Sequence, residues 1–295
     1  MFSTYLRLAR LPNVFTALAD VLAGLAIAQH GHFEPRDLAL VAASGFLYPA
    51  GMVLNDFFDR HVDARERPER PIPSGQVRAH HAAWIGFGLM AAGIAVAGLR
   101  GSASLVTAAA LAAAILLYDA VLKSTLLGPP AMGLCRLLNV ALGLSAAEAG
   151  DVIHDLHVSA LLLPVALGVY TCLLTVLARD EVHGGARWRV RAIVTAMALL
   201  GGAYVVVLAA ASPAGFTSVA MVLYAFLLLR GSAVFGPVWS ATDAMPIRRA
   251  IGGGILLMPA IDAAAVAAAG HPFSAAIVVL LALPAQILKR RFAMS

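Results

Sequence analysis

NDFFDRHVDARERPERPIPSG, residues 55–75, closes an apolar run that opens near residue 37. If that run crosses a membrane, acids are least tolerated there, because each charge must leave water. Asp56, Asp59 and Asp63 are spaced by three and four, which sets them on one face of a helix. Clustered carboxylate oxygens are the ligands Mg2+ takes when it also bridges to substrate phosphates. The arginines and prolines that follow have the composition of a lid over an anion site. The pattern reads as catalytic; the competing reading is an interfacial helix salt-bridged through Arg60 and Arg67.

The rest of the chain supplies the setting. Of 295 residues, 61% are hydrophobic and 13% charged, and mean hydropathy is +0.85. Soluble domains carry about 25% charged residues. The apolar blocks are long enough to cross roughly 30 Å of hydrocarbon as helices, and alternating segments of strand length are missing. An all-α integral membrane protein follows. Candidate spans are 11–29, 37–58, 81–99, 102–122, 130–148, 158–178, 191–211, 214–230, 248–269 and 272–288. Pro35, Pro129, Pro213 and Pro272 mark breaks, as do Gly101 and Gly184-Gly185. The segment 248–288 reads either as two spans or as one span with a re-entrant piece. Residues 1–295 read as one polytopic membrane domain, with cap loops at about 59–80 and 179–190. Cys135 and Cys172 fall inside apolar segments and read as packing residues.

Basic residues orient the spans. The amino-terminal segment and the loops after even-numbered spans hold nearly all of them, from Arg7 and Arg10 through Arg60, Arg65, Arg67 and Arg70 to Lys289. The opposite side holds Arg36 and Arg100. By the positive-inside rule both termini, the long loops and the acidic segment face the cytosol, in what is expected to be a bacterial cytoplasmic membrane. The net charge of +5 is therefore a topology signal and not a nucleic-acid footprint.

Polar residues recur at the cytosolic ends of the spans. Asn13 and Asp20 share a face of the first, and Asn55 stands beside Asp56 in the second. Tyr118, Asp119 and Lys123 end the fourth, Arg136 and Asn139 open the fifth, and Arg179, Asp180 and Glu181 end the sixth. Each set has a plain alternative. Asp119 and Lys123 suit an exposed i,i+4 ion pair, Arg136 and Asn139 suit interhelical hydrogen bonds, and Arg179 to Glu181 suit a solvated helix end. Arg65, Arg67 and Arg70 also suit acidic lipid head groups, and Asp262 suits a packed polar residue. Their shared membrane face favours one cavity instead. Two carboxylate clusters hold Mg2+, Mg2+ with Arg and Lys holds a diphosphate, and the apolar interior holds a hydrocarbon tail.

These residues resemble the UbiA superfamily of intramembrane prenyltransferases over nearly the whole chain. The resemblance rests on Arg7-x-x-Arg10-Leu11-Pro12-Asn13, on Asn55-Asp56-x-x-Asp59-x-x-x-Asp63, on Arg67-Pro68-x-Arg70-Pro71-Ile72-Pro73-Ser74-Gly75 and on Tyr118-Asp119-x-x-x-Lys123. Tyr118 to Lys123 and Cys135 to Asn139 are similar to the EboC-like subgroup. The resemblance implies a bundle of nine core helices around a central cavity, with the tenth apolar segment an addition. It also implies Mg2+-dependent transfer of a prenyl group from a prenyl diphosphate to a small or lipid acceptor. Asn55, Asp56, Asp59 and Asp63 would form the first metal-diphosphate motif. Arg67, Lys123 and Arg136 would neutralise the diphosphate, with Arg70, Arg179, Asn13, Asp20 and Asn139 around the substrate. Tyr118 and Asp119 would line the reaction centre.

The second acidic motif departs from the family's. Two aspartates separated by three residues are usual, but here Asp180 and Glu181 are adjacent and point about 100° apart on a helix. A non-aromatic acceptor, such as a sugar-, cyclitol- or glycerol-type hydroxyl, is then an open alternative. So is a lipid-diphosphate binder or translocator without catalysis.

Overall fold

The computed structural model describes residues 8, 10–147, 158–183, 187–212, 217–240 and 244–293, and every regular element among them is helical. Helix α1, Leu11–Ala28, has Pro12 in its first turn, where a missing N–H costs nothing. A 3-10 turn at Pro35–Asp37 leads into α2, Leu38–Glu66. At 29 residues α2 outruns its apolar part, so Asp56, Asp59 and Asp63 lie on its final turns. After it come α3, Ala79–Gly98, and α4, Ser102–Leu117, which continues as a π-helical turn over Tyr118–Leu122. Then follow α5, Gly128–Leu144, α6, Val158–His183, α7, Arg187–Ala211, α8, Thr217–Trp239, and α9, Ala244–Ala268. The chain ends in α10, Pro272–Leu280, and α11, Ala282–Ala293.

Among the described residues, seven helices are long and apolar enough to cross a membrane, and Pro12–Ala28 and Pro272–Leu288 are shorter apolar helices. One expectation changes. The stretch 272–288 is broken at Leu281, because Pro284 has no N–H for the preceding turn and its ring crowds the carbonyl four residues back. Within the stretches read as cap loops, α2 runs to Glu66, α6 runs to His183, and α7 starts at Arg187.

Among the described residues, α1 to α9 form a closed circuit in which each helix packs on the next and α9 returns to α1. Cross-packing of α1 on α5 and of α6 on α9 fills the middle. Glycine makes the tightest crossings possible. A Cβ on Gly24 would meet the Val140 carbonyl oxygen at 2.5 Å, and one on Gly143 would collide with the Val21 carbonyl. Without a hydrophobic drive between helices in lipid, such backbone contact is a main source of association.

The two ends of the circuit differ in chemistry. At one end a polar knot closes the bundle: Arg100 Nε donates to buried Asp37 at 2.8 Å, and Arg100 and Gln29 both donate to the Ala146 carbonyl. His30 and His271 meet edge to face there. The other end carries the acidic segment and opens on a cavity.

Candidate active site

The cavity of about 340 Å³ lies between α1, α2, α4, α5, α6 and α9. Arg10, Asn13, Tyr118, Asp119, Arg136 and Asn139 contribute its polar surface, and Leu47, Leu111, Ile115, Leu174, Ile251 and Met258 its apolar depth. This division matches an amphiphilic ligand with an anionic head.

α2 delivers the carboxylates. One nitrogen of Arg70 donates to Asp63 at 2.7 Å and to Asp56 at 3.3 Å, and Arg10 lies 3.8 Å from Asp56. Asp56 and Asp63 are buried, and the turn that carries Arg70 folds back over them. Asn13, the residue after Pro12, donates its backbone N–H to the Arg10 carbonyl at 2.9 Å. Arg10 itself holds a left-handed backbone, φ 46 and ψ 49, which a side chain with a Cβ adopts at a cost of roughly 1–2 kcal/mol.

The π turn decides what α4 presents. Lys123 N–H bonds back to the Tyr118 carbonyl at 3.0 Å, which widens the turn; such bulges recur at functional sites. Asp119 and Lys123 consequently do not pair with each other. Lys123 forms an ion pair with Asp59 on α2, and Asp119 Oδ1 accepts from Asn55 Nδ2 at 2.9 Å. Asp119 Oδ2 is buried with no hydrogen-bond partner, on a residue that lines the cavity.

Below this rim lies a buried network. Arg136 Nε sits 2.8 Å from Asp20, and its terminal nitrogen donates to the Thr16 carbonyl. Asn139 donates to Asp20 and to the Ala17 carbonyl, each at 2.8 Å, and accepts from Ser44. Asp262 on α9 is fully buried, and neither of its carboxyl oxygens has a hydrogen-bond partner among the described residues. Arg136 and Asn139 thus tie α1 to α5 as well as lining the cavity, and the Arg136 charge is already balanced.

Of the residues expected at the site, Asn13, Tyr118, Asp119, Arg136 and Asn139 line the cavity; Asn55 and Asp56 contact the lining residues Asp119 and Arg10, Arg70 joins Asp56 to Asp63, and Asp59 pairs with Lys123. Arg67 is exposed and caps α2 through its backbone, outside this cluster. Arg179 donates to the Lys123 and Thr125 carbonyls, fastening α6 to the loop after α4. Asp180 and Glu181 fall in the last turn of α6, but their side chains lie outside the described residues. Sequence reasoning missed Arg10, Tyr48 and Thr171 as cavity residues. Arg10 alone carried a signal, its place before Pro12.

Arg70 tests the fit of a divalent cation. One cationic atom of Arg70 touches both Asp56 and Asp63, so these two carboxylates are the ones that would hold a cation. Among the described residues no three His, Cys, Asp or Glu side chains are gathered as a metal site. The donors are all oxygen, which suits Mg2+ that fills its remaining positions with water and phosphate.

The sequence pattern of the UbiA prenyltransferase family matches residues 17–251. The chain is 29% identical over 182 residues to the digeranylgeranylglyceryl phosphate synthase of Metallosphaera sedula, covering 61% of each. With the enzyme of that name from Methanopyrus kandleri it shares 36% over 150 residues, covering 49% of this chain and 55% of the other. The chain thus spans 55–61% of the length of these two curated relatives. A UbiA homologue from Aeropyrum pernix superposes with a TM-score of 0.67 at 19% identity, covering 85% of this chain and 96% of that one. A UbiA homologue from Archaeoglobus fulgidus, bound to GPP and Mg2+, does so with a TM-score of 0.64 at 16% identity, covering 94% and 99%. At these identities the likeness is one of helix arrangement.

Proposed function

The chain belongs to the UbiA prenyltransferase family, and from its cavity we propose that it transfers a prenyl group from a prenyl diphosphate to an acceptor hydroxyl, releasing diphosphate. The observation that carries this reading is the convergence of Asp56 and Asp63 on one cation, Arg70, next to Arg10 of a cavity whose lining is largely apolar. The names of the curated relatives support a glyceryl-phosphate acceptor over an aromatic ring.

Asp56 and Asp63, with Asp59 beside them, would hold Mg2+, which supplies positive charge to the leaving diphosphate oxygens. Arg10, Arg70 and Lys123 place three further cations around the same point and stabilise the charge that grows on the leaving group. The allylic carbon–oxygen bond breaks with its electron pair going to the diphosphate. The apolar wall formed by Leu47, Ile115 and Ile251 keeps water from the allylic cation. The acceptor oxygen forms the new bond to carbon, and its proton passes to the unpartnered Oδ2 of Asp119. Tyr118 and Asn13 border the space where these groups meet.

Asp56→Ala removes one of the two carboxylates that share the cation. Mg2+-dependent diphosphate release from geranylgeranyl diphosphate should fall about a hundredfold or more, while thermal unfolding in detergent stays close to wild type. Undiminished release in a folded variant would falsify the assignment. A wild-type protein that binds the diphosphate and never releases it would be a binder and not an enzyme.

A further inference from the structure

A second cavity, of about 400 Å³, lies between α6, α7, α8 and α9, and the reaction above makes no use of it. Its volume falls in the roughly 300–1,000 Å³ range of small-molecule sites. Its lining is apolar, from Val194, Met197, Leu227 and Ile261 among others. The polar groups that reach it are already satisfied by backbone. Tyr170 donates to the Gly254 carbonyl at 2.9 Å, Tyr204 to the Ile261 carbonyl at 2.8 Å, and Ser232 to the Leu229 carbonyl at 2.8 Å. Each of these hydroxyls has given its one proton to a carbonyl, so none is left to donate to an anionic head group. The lining suits hydrocarbon.

Glycines keep the space open. Gly201, Gly231 and Gly236 line it, and a Cβ on any of them would find nothing within 4 Å. They differ from Gly24 and Gly143, which are small because two backbones touch. The chamber adjoins the first across a wall one side chain thick. A Cβ built on Gly254 would meet Leu174 at 3.0 Å, the Tyr170 hydroxyl at 3.0 Å and Phe235 at 3.1 Å. Leu174 faces the first cavity, and Tyr170 and Phe235 the second.

We infer that this chamber holds the hydrocarbon chain of a lipid acceptor, whose hydroxyl-bearing end reaches the first cavity at the Tyr170–Gly254 wall. The inference rests on the prenyl-transfer reading, because the first cavity supplies apolar room for the donor's chain and a lipid acceptor brings a second. A free membrane lipid would need no such proximity to the reaction cavity.

The probe is a hexadecylglyceryl phosphate carrying a diazirine in its chain, photolysed with the full-length protein in detergent micelles with Mg2+. Labels are expected on α7 and α8 at cavity residues such as Val205 and Leu228, and unlabelled hexadecylglyceryl phosphate should suppress them while excess phosphatidylglycerol does not. In turnover with geranylgeranyl diphosphate, Gly201→Leu and Gly231→Leu should raise KM for hexadecylglyceryl phosphate at least tenfold and leave KM for the diphosphate unmoved. Labelling confined to the first cavity, or suppressed equally by phosphatidylglycerol, overturns the inference, as does an unchanged acceptor KM in both filled variants. Competable labelling without any turnover by the wild type would retain the chain site and reject the prenyl-transfer reading instead.

Discussion

Asp119 is the residue whose surroundings say most about the chemistry. One oxygen is held by Asn55 and the other is buried without a partner at the cavity surface. Asparagine keeps an oxygen for Asn55 and removes only the capacity to take a proton. Asp119→Asn should therefore lower kcat about 10²–10⁴-fold while binding of geranylgeranyl diphosphate in the presence of Mg2+, measured by calorimetry, is unchanged. An equal loss of diphosphate affinity would make Asp119 part of the head-group site and not the base. The clustering of Asp56, Asp59 and Asp63 was legible because carboxylates spaced by three and four share a helix face. Their partners were not. Asp119 and Lys123 look paired at i,i+4, and the π turn sends each to a different residue of α2. Arg67 and Arg70 look alike in sequence, and only the fold-back of the turn after Glu66 shows that Arg70 reaches both carboxylates.

Helix α5 is the element on which the cavity depends. It packs on α1, α4 and α6, and it carries Arg136 and Asn139 to the cavity wall. Its approach to α1 is limited by backbone. A Cβ on Gly143 would collide with the Val21 carbonyl and lie 2.9 Å from the Leu25 nitrogen, neither of which can move without the helix. Gly143→Ala should cost about 1–3 kcal/mol by overpacking and lower the unfolding temperature in detergent. Gly202→Ala on α7, where a Cβ meets nothing within 4 Å, should be neutral or raise stability by about 0.5–1 kcal/mol. Equal effects of the two would mean that α5 does not seat against α1 as described. Hydropathy shows where helices are but not which glycines are contacts, since both kinds stand in the same Ala- and Gly-rich runs. Helix ends escaped it for a related reason. α2 continues through charged residues because its acids are compensated by Arg70, Arg10 and Lys123, and α10 stops early because of Pro284.

At the scale of the whole molecule, the closed circuit gives the bundle one end that is sealed and one that reacts. Arginine counting gathers nearly all basic residues on the side of the acidic segment and leaves two exceptions, Arg36 and Arg100. Both lie at the sealed end and both are matched by acids, Arg36 with Glu34 and Arg100 with Asp37. That end therefore presents little net positive charge to the lipid surface, whereas Arg65 and Arg67 are exposed at the other. The positive-inside rule counts Lys and Arg, not net charge, and by that count we propose that the acidic end faces the cytosol. Exposed positions at the two ends allow a direct measurement. In a background carrying Cys135→Ser and Cys172→Ser, which removes both native thiols, Gln76→Cys marks the reacting end and His32→Cys the sealed one. A membrane-impermeant maleimide added to intact cells should label His32→Cys and spare Gln76→Cys, and the pattern should reverse in inverted vesicles. Labelling of Gln76→Cys from outside would turn the molecule over. It would also require the prenyl diphosphate to arrive from the opposite side of the membrane, since Asp56, Asp63 and Arg70 lie at that same end.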